Sequence, residues 1–186
     1  MAEIIFSSER LYTRQLTNDD LSSIKEQLQD PEVMSAYEGA FSDLMVKSWL
    51  LKQMERYTQD GCGLYALLTK DNDTFVGQCG VTMQEFEGRL VHEVGYLLSK
   101  RFWHEGYATE AAAAARDYAF EVLNAPFVCA QVRDNNIPSQ KVAQRIGFKQ
   151  VGEIVKHYRG FVLPHIVYGM TRADYLAYKA QVTASA

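Results

Sequence analysis

Eight residues constrain this chain most: His104, Glu105, Gly106, Tyr107, Ala108, Thr109, Glu110 and Ala111. An apolar segment with strand character, Val91 to Leu98, leads into them. An alanine-rich segment follows, from Ala111 to about Leu123. The order is strand, glycine turn, helix. Gly106 lacks a Cβ, so another group can approach the backbone there, and Ala108 is small for the same reason. The first helical turn leaves N–H groups without intrahelical partners, at the partly positive end of the helix dipole. No Ser, Thr, Asp or Asn directly precedes Tyr107 to cap them. A phosphate or pyrophosphate suits such an end, although a lone Gly-x-Ala before a helix is more often a plain helix start. Three better-known motifs fail here. Gly-Lys-Ser/Thr is missing, the first glycines of G-x-G-x-x-G are missing, and the second histidine of a zinc-protease helix would fall on Ala108.

The chain has 186 residues, enough for one domain with a sizeable core, and the only tail expected is about 182–186. Its 47% hydrophobic and 23% charged residues are ordinary for a globular protein. There is no basic segment followed by an apolar run at the start, and no apolar stretch of membrane-spanning length. The net charge of −4 argues against a nucleic-acid-binding module. Cys62, Cys79 and Cys129 are odd in number and widely spaced, which points to reduced thiols in a cytoplasmic protein. The four scattered histidines predict no metal site.

Read in order, Ile4 to Leu16 is expected as a first strand. Thr17-Asn18-Asp19-Asp20 starts a helix that Asp30-Pro31 ends. Pro31 to Ser42 reads as a loop, and Asp43 to Tyr57 as a second amphipathic helix. The period then changes to two. Leu64–Thr69, Phe75–Gln84 and Leu90–Leu98 form a meander around turns at Asp71-Asn72-Asp73 and Glu87-Gly88. After the glycine turn and its helix, Phe127 to Val132 is a buried strand. It is expected to lie parallel to the one before the helix, giving a strand–helix–strand crossover. A helix from Asn136 to Ile146, a hairpin of Val151–Tyr158 with Leu163–Thr171, and a helix Arg172–Lys179 complete the chain. The pattern is α+β: a mixed, mostly antiparallel twisted sheet with helices on both faces.

Three stretches then stand in a telling order: Glu93-Val94-Gly95-Tyr96, Trp103 to Ala111, and Asn136-Ile137-Pro138-Ser139 leading to Arg145-Ile146-Gly147-Phe148. Together with Glu9-Arg10-Leu11 and Asp30-Pro31-Glu32-Val33-Met34, the set resembles the GNAT superfamily of acetyl-CoA-dependent N-acetyltransferases. Within it, the chain looks most like the branch that acetylates ribosomal-protein N-termini. The resemblance extends to about Tyr175. It implies a splayed parallel strand pair and acetyl-CoA as co-substrate. It also implies a loop whose amides hold the pyrophosphate, formed by Arg101, Trp103, His104, Glu105, Gly106, Tyr107, Ala108 and Thr109. Trp103 stands where the family carries Gln or Arg, and Lys100 or Arg101 is the alternative source of charge. The pantetheine arm is expected along Gly95, Tyr96, Leu97 and Leu98, with Gly95 suited to a bulge that opens the gap. Asn136 and Ser139 match positions on the pantetheine side.

Acetyl transfer to an amine makes three demands. The amine must lose a proton, since a model α-amino group has a pKa of roughly 8 and a lysine roughly 10.4. The thioester oxygen needs a donor, for which a strand N–H near Val94 to Tyr96 would serve. The departing thiolate needs a proton. Glu93, acting through water, is the candidate base, against the alternative of a surface strand carboxylate or ion-pair partner. Glu85 is a lesser one, and His92 should face away from Glu93. The tyrosine that many relatives place seven residues after the motif Asn is replaced here by Ala143. The resemblance to the ribosomal-protein branch implies Ser139 as the donor in its place, with Tyr158 a further one, although Asn136 and Ser139 also have the residue types of helix caps. The acceptor is expected to be a protein or peptide N-terminal amine, or else a small amine, held by Met34–Phe41 and the turn Arg159–Pro164. A non-catalytic acyl-CoA-binding module is the other functional class. A monomer or homodimer is expected, with neither nucleic acid nor membrane as partner.

Overall fold

A computed structural model describes residues 3–184. Seven strands form one sheet: β1 (Leu11–Arg14), β2 (Leu64–Thr69), β3 (Phe75–Phe86), β4 (Arg89–Leu98), β5 (Phe127–Arg133), β6 (Lys149–Tyr158) and β7 (Phe161–Thr171). Their order across the sheet is β1-β2-β3-β4-β5-β7-β6. Every neighbouring pair is antiparallel except β4–β5, which is the expected parallel crossover.

Five α-helices cover the two faces: α1 (Leu21–Leu28), α2 (Asp43–Gln59), α3 (Tyr107–Glu121), α4 (Ile137–Arg145) and α5 (Arg172–Ala184). Ala111, Ala112, Ala115 and Ala119 of α3 are fully buried against Val81, Val94 and Val128. The small side chains let the helix lie close on the sheet, and burying this apolar area is the main gain. On the opposite face Ile24, Leu28, Val46 and Leu50 of α1 and α2 pack with Met34 and Phe41 against Ala66 and Leu68. Cys62, Cys79 and Cys129 are buried free thiols. Burial pushes all three thiols up, Cys62 to about 11, which keeps them protonated and unreactive.

Three expectations need correction. The first strand is not continuous from Ile4 to Leu16. The chain doubles back at Ser8–Arg10, so that Ile5 N–H donates to Thr13 O (2.9 Å) and Thr13 N–H to Phe6 O (2.9 Å). The turn is fixed from α3. The Glu110 carboxylate accepts from Ser8 Oγ, Arg10 N–H and Arg10 Nε, each at 2.7 Å. The segment Pro31–Ser42 is not all loop, because Val33–Tyr37 forms a 3-10 helix. The last helix runs to Ala184, three residues into the stretch expected as a tail, while 185–186 lie outside the described residues.

Candidate active site

β4 and β5 pair only at His92↔Val128 and Glu93↔Cys129. Beyond that point β4 follows β3 as far as Leu98, and β5 follows β7 as far as Arg133. The two strands therefore part, and their facing backbone groups lose ladder partners, which buried polar groups must find elsewhere. Glu93 stands at the apex. Its Oε1 accepts the N–H of Gln131 on the departing strand at 3.0 Å. Gly95 forms no bulge, since β3–β4 register is unbroken from Gly77↔Leu98 to Phe86↔Arg89. The gap opens by the departure of β5. Gly95 is instead small because a Cβ there would stand 3.0 Å from Leu64 Cδ2.

Side chains alternate along β4. Glu93, Gly95 and Leu97 belong to the α1/α2 face, and Val94, Tyr96 and Leu98 to the α3/α4 face. His92 accordingly faces away from Glu93, and burial lowers its pKa. Burial raises the Glu93 carboxyl, opposed by Lys156, the Gln131 N–H and Arg56.

The glycine loop lies just beyond Leu98. Gly106 is the residue before α3 and adopts a left-handed conformation, φ 79°, that an L side chain would resist. No side chain caps the helix. Three features therefore fit the phosphates of a coenzyme: uncapped first-turn N–H groups at Tyr107, Ala108 and Thr109, a glycine that admits close approach, and a nearby guanidinium. That guanidinium, Arg10, was not anticipated. It reaches Glu105 O at 3.1 Å, lies 4.4 Å over the Tyr107 ring, and is held by Glu110. His104 also has positive φ, 67°. Arg101 is exposed and lies over the Phe102 ring, while Lys100 pairs with Glu32. The Trp103 indole N–H donates to Leu98 O at 3.0 Å, tying the loop to the end of β4.

On the α3/α4 face, the Tyr96 hydroxyl meets Ser139. It lies 2.9 Å from Ser139 Oγ and donates to Ser139 O at 3.0 Å. Asn136 is the helix cap, its Oδ1 accepting from Ser139 N–H at 3.2 Å. The sequence singled out Tyr96 only for its backbone, so this hydroxyl pair was missed. Tyr158 is on the other side of the sheet. It pairs with Phe161 at the end of the β6–β7 hairpin, and its position bears on Tyr37 rather than on Ser139.

On the Glu93 face, Tyr37 is half-buried. Burial raises its hydroxyl to about 12, with Glu93 and Tyr158 adding to the effect. Tyr37, Phe41 and Trp49 meet edge to face at centroid distances of 5.8–6.3 Å. Behind them runs a chain of buried amides. Trp49 Nε1 donates to Gln78 Oε1 (2.9 Å), Gln78 Nε2 to Gln27 Oε1 (2.6 Å), and Gln27 Nε2 to Leu97 O (2.6 Å). This aromatic cluster is thus linked to the strand that borders the gap. Glu85 is exposed at the far end of β3, outside this group.

The family profile described as "Acetyltransferase (GNAT) domain" matches residues 10–149. The chain is 26% identical over 147 residues to the uncharacterized N-acetyltransferase YnaD of Bacillus subtilis, covering 78% of this chain and 83% of that protein. Among solved structures it resembles the ribosomal-protein-S5-alanine acetyltransferase of Vibrio fischeri, with a TM-score of 0.72, 20% identity, and coverage of 91% and 97% of the two chains. It also resembles the spermidine N-acetyltransferase of Vibrio cholerae solved with CoA and spermine, with a TM-score of 0.72, 17% identity, and coverage of 90% and 98%. The chain belongs to the GNAT acetyltransferase family, a class of acyl-coenzyme-A-dependent transferases, and its parted parallel strand pair beside an uncapped helix accords with that. It is an acetyl-CoA-dependent acetyltransferase acting on an amine. Among the described residues, no group of His, Cys, Asp or Glu is placed to hold a metal, and no helix is long and apolar enough to cross a membrane.

Proposed function

We propose that this chain acetylates the N-terminal amine of a peptide or protein, with Glu93 as the general base. The observation that carries this reading is the Glu93 carboxyl at the apex of the gap, raised by burial and facing the Tyr37 side. A raised carboxylate is a better match to an ammonium proton than an exposed one. Acetyl-CoA supplies the activated acetyl thioester. Glu93 takes the proton that the ammonium must lose before its nitrogen bonds to the acetyl carbon. A β4 N–H between Val94 and Tyr96 steadies the carbonyl oxygen as it gains charge. Ser139, held by Tyr96, protonates the sulfur as the C–S bond breaks, and the second proton that the newly bonded nitrogen sheds restores the serine hydroxyl. Base and acid then act from opposite faces of β4, so neither competes for the other's proton.

The acceptor enters between Met34–Phe41 and the turn before Pro164. Those two segments touch where Arg159 Nη1 donates to Glu38 O at 3.4 Å. The Vibrio fischeri neighbour, named for a ribosomal-protein alanine, supports an N-terminal acceptor. The Vibrio cholerae neighbour, named for spermidine, supports a small amine as the second reading. A thiol-release assay across peptides with free N-termini, amino acids and polyamines separates them. Peptides should be the best substrates, and exclusive turnover of small amines would overturn the N-terminal reading.

A further inference from the structure

Two neighbouring positions on β5 carry buried polar atoms without a hydrogen-bond partner among the described residues: Gln131 Oε1 and Arg133 Nε. Such orphans are uncommon and call for an explanation. Alternation places both side chains on the sheet face of Glu93, because Glu93 pairs with Cys129 and every second residue shares a face. Gln131 is the residue whose N–H Glu93 accepts, and Arg133 lies about 7 Å further along the strand. The Arg133 guanidinium is largely buried, with 12% of its side chain exposed.

Its one carboxylate partner comes from the cleft's own wall. Arg133 Nη1 donates to Glu38 Oε1, and to Ala36 O at a long 3.5 Å. A guanidinium normally binds a carboxylate with two parallel donors. Glu38 uses one, so the Nε edge is left over. Glu38 also sits in a left-handed conformation, φ 59°, rare for a residue with a side chain. That conformation ends the 3-10 helix Val33–Tyr37, and it is the residue at this helix end whose carboxylate meets Arg133.

The surrounding charge points the same way. Lys156 and Arg56 bear on Glu93, while Arg133 and Arg159 hold Glu38. Three cations bear on the two carboxylates, one of which is already paired, and Arg159 adds a fourth charge at the Glu38 backbone carbonyl. A polyamine, which presents further positive charges beyond the reacting nitrogen, would meet repulsion there.

We infer that Arg133 selects acceptors that carry a carboxylate within reach of the reacting amine, the acceptor's carboxylate taking the Nε–Nη2 edge that Glu38, on Nη1, leaves open. This rests on the amine-transfer reading above and narrows its substrate class. The carboxylate has two possible sources, the α-carboxylate of a free amino acid or the side chain of an N-terminal Asp or Glu in a peptide.

The test is a thiol-release assay on matched pairs. Free amino acids are compared with their amides, and peptides beginning with Asp or Glu with those beginning with Asn or Gln. Spermidine is included. In one of the two series the acid should exceed its amide by about 10- to 100-fold in kcat/KM, as expected for a charge-assisted bond. Arg133→Leu should bring that ratio to about one. Glu38→Gln should lower KM for the acid, because it removes the competing carboxylate. A merely structural ion pair predicts instead that both substitutions harm all substrates alike. Should Arg133→Leu fail to fold, the Glu38→Gln result decides. Equal rates for acids and amides, a preference for spermidine, or a Glu38→Gln variant with raised KM would overturn the inference while leaving amine transfer intact. Acetyl-CoA binding without turnover of any amine would overturn the transfer reading itself, and this inference with it.

Discussion

The Tyr96 hydroxyl lies 2.9 Å from Ser139 Oγ, joining β4 to the first turn of α4 across the end of the parted strands. The one Tyr96 hydroxyl proton has both Ser139 O and Ser139 Oγ within reach; turned to Oγ, it leaves the serine hydrogen for the sulfur. Ser139 Oγ is thus positioned from behind rather than by its own helix, whose cap is Asn136. Burial raises the Tyr96 hydroxyl, so it stays neutral throughout the working range.

The first prediction separates the members of this pair. Ser139→Ala removes the proposed thiolate donor and should lower kcat and kcat/KM together, by about 100-fold for a general acid. Tyr96→Phe leaves the serine but removes its anchor, and should cost a smaller factor with acetyl-CoA affinity little changed. Steady-state kinetics and calorimetry on both variants check this. A Ser139→Ala enzyme of normal rate would leave the hydroxyl a structural contact only.

A second prediction concerns the glycine loop. At Gly106, φ 79° penalises any side chain by about 1–2 kcal/mol. Gly106→Ala should therefore weaken the loop moderately. Gly106→Glu adds a negative charge where phosphate is expected, and should abolish measurable acetyl-CoA binding while the far-UV spectrum stays native. Calorimetric titration reads both, and equal affinities for the two variants would remove the charge argument.

A third prediction concerns the buried amide chain. Gln78→Leu leaves Gln27 Oε1 and the Trp49 indole N–H without their partners. Each unpaired buried group costs about 1–3 kcal/mol. Denaturant unfolding should show a loss in that range or above it. The double substitution Gln27→Leu with Gln78→Leu should be less damaging than the sum of the two single changes, since Gln27 and Gln78 are each other's partner.

Much of the fold was legible because local periodicity and tertiary packing agree. The limits of β2 at Leu64 and Thr69 follow from an apolar run between turn residues, and the β4–α3–β5 crossover follows from an alanine face between two apolar strands. The glycine turn was legible because its residue types have few other uses. What could not be read are links between residues far apart in sequence. Ser8 meets Glu110 across 102 positions, Glu38 meets Arg133 across 95, and Tyr96 meets Ser139 across 43. No local pattern marks either partner. Gly95 shows the reverse error: a glycine in a strand suggested a bulge, yet packing against Leu64 explains it.

A fourth prediction uses the two roles of Glu93 at the strand divergence. Glu93→Ala leaves the Gln131 N–H without its acceptor and should cost about 1–3 kcal/mol. Glu93→Gln keeps an oxygen acceptor and removes only the charge. The folded-state pKa of Glu93 is raised, so its contribution is favourable at acid pH and is lost as pH rises through that raised value. Below the ordinary glutamate range wild type and Glu93→Gln should melt alike. Above the raised pKa the amide variant should be the more stable. Melting temperatures across pH give the sign directly.

The most direct test of the account is the pH dependence of kcat/KM for wild type and Glu93→Gln on the best acceptor from the amine panel. The wild-type rate should rise with pH through the raised pKa of Glu93. The variant should be severely slowed near neutrality and should recover towards wild type above the pKa of the acceptor amine, where the free base is already abundant. Superimposable profiles for the two enzymes would contradict the assignment of Glu93 as the base.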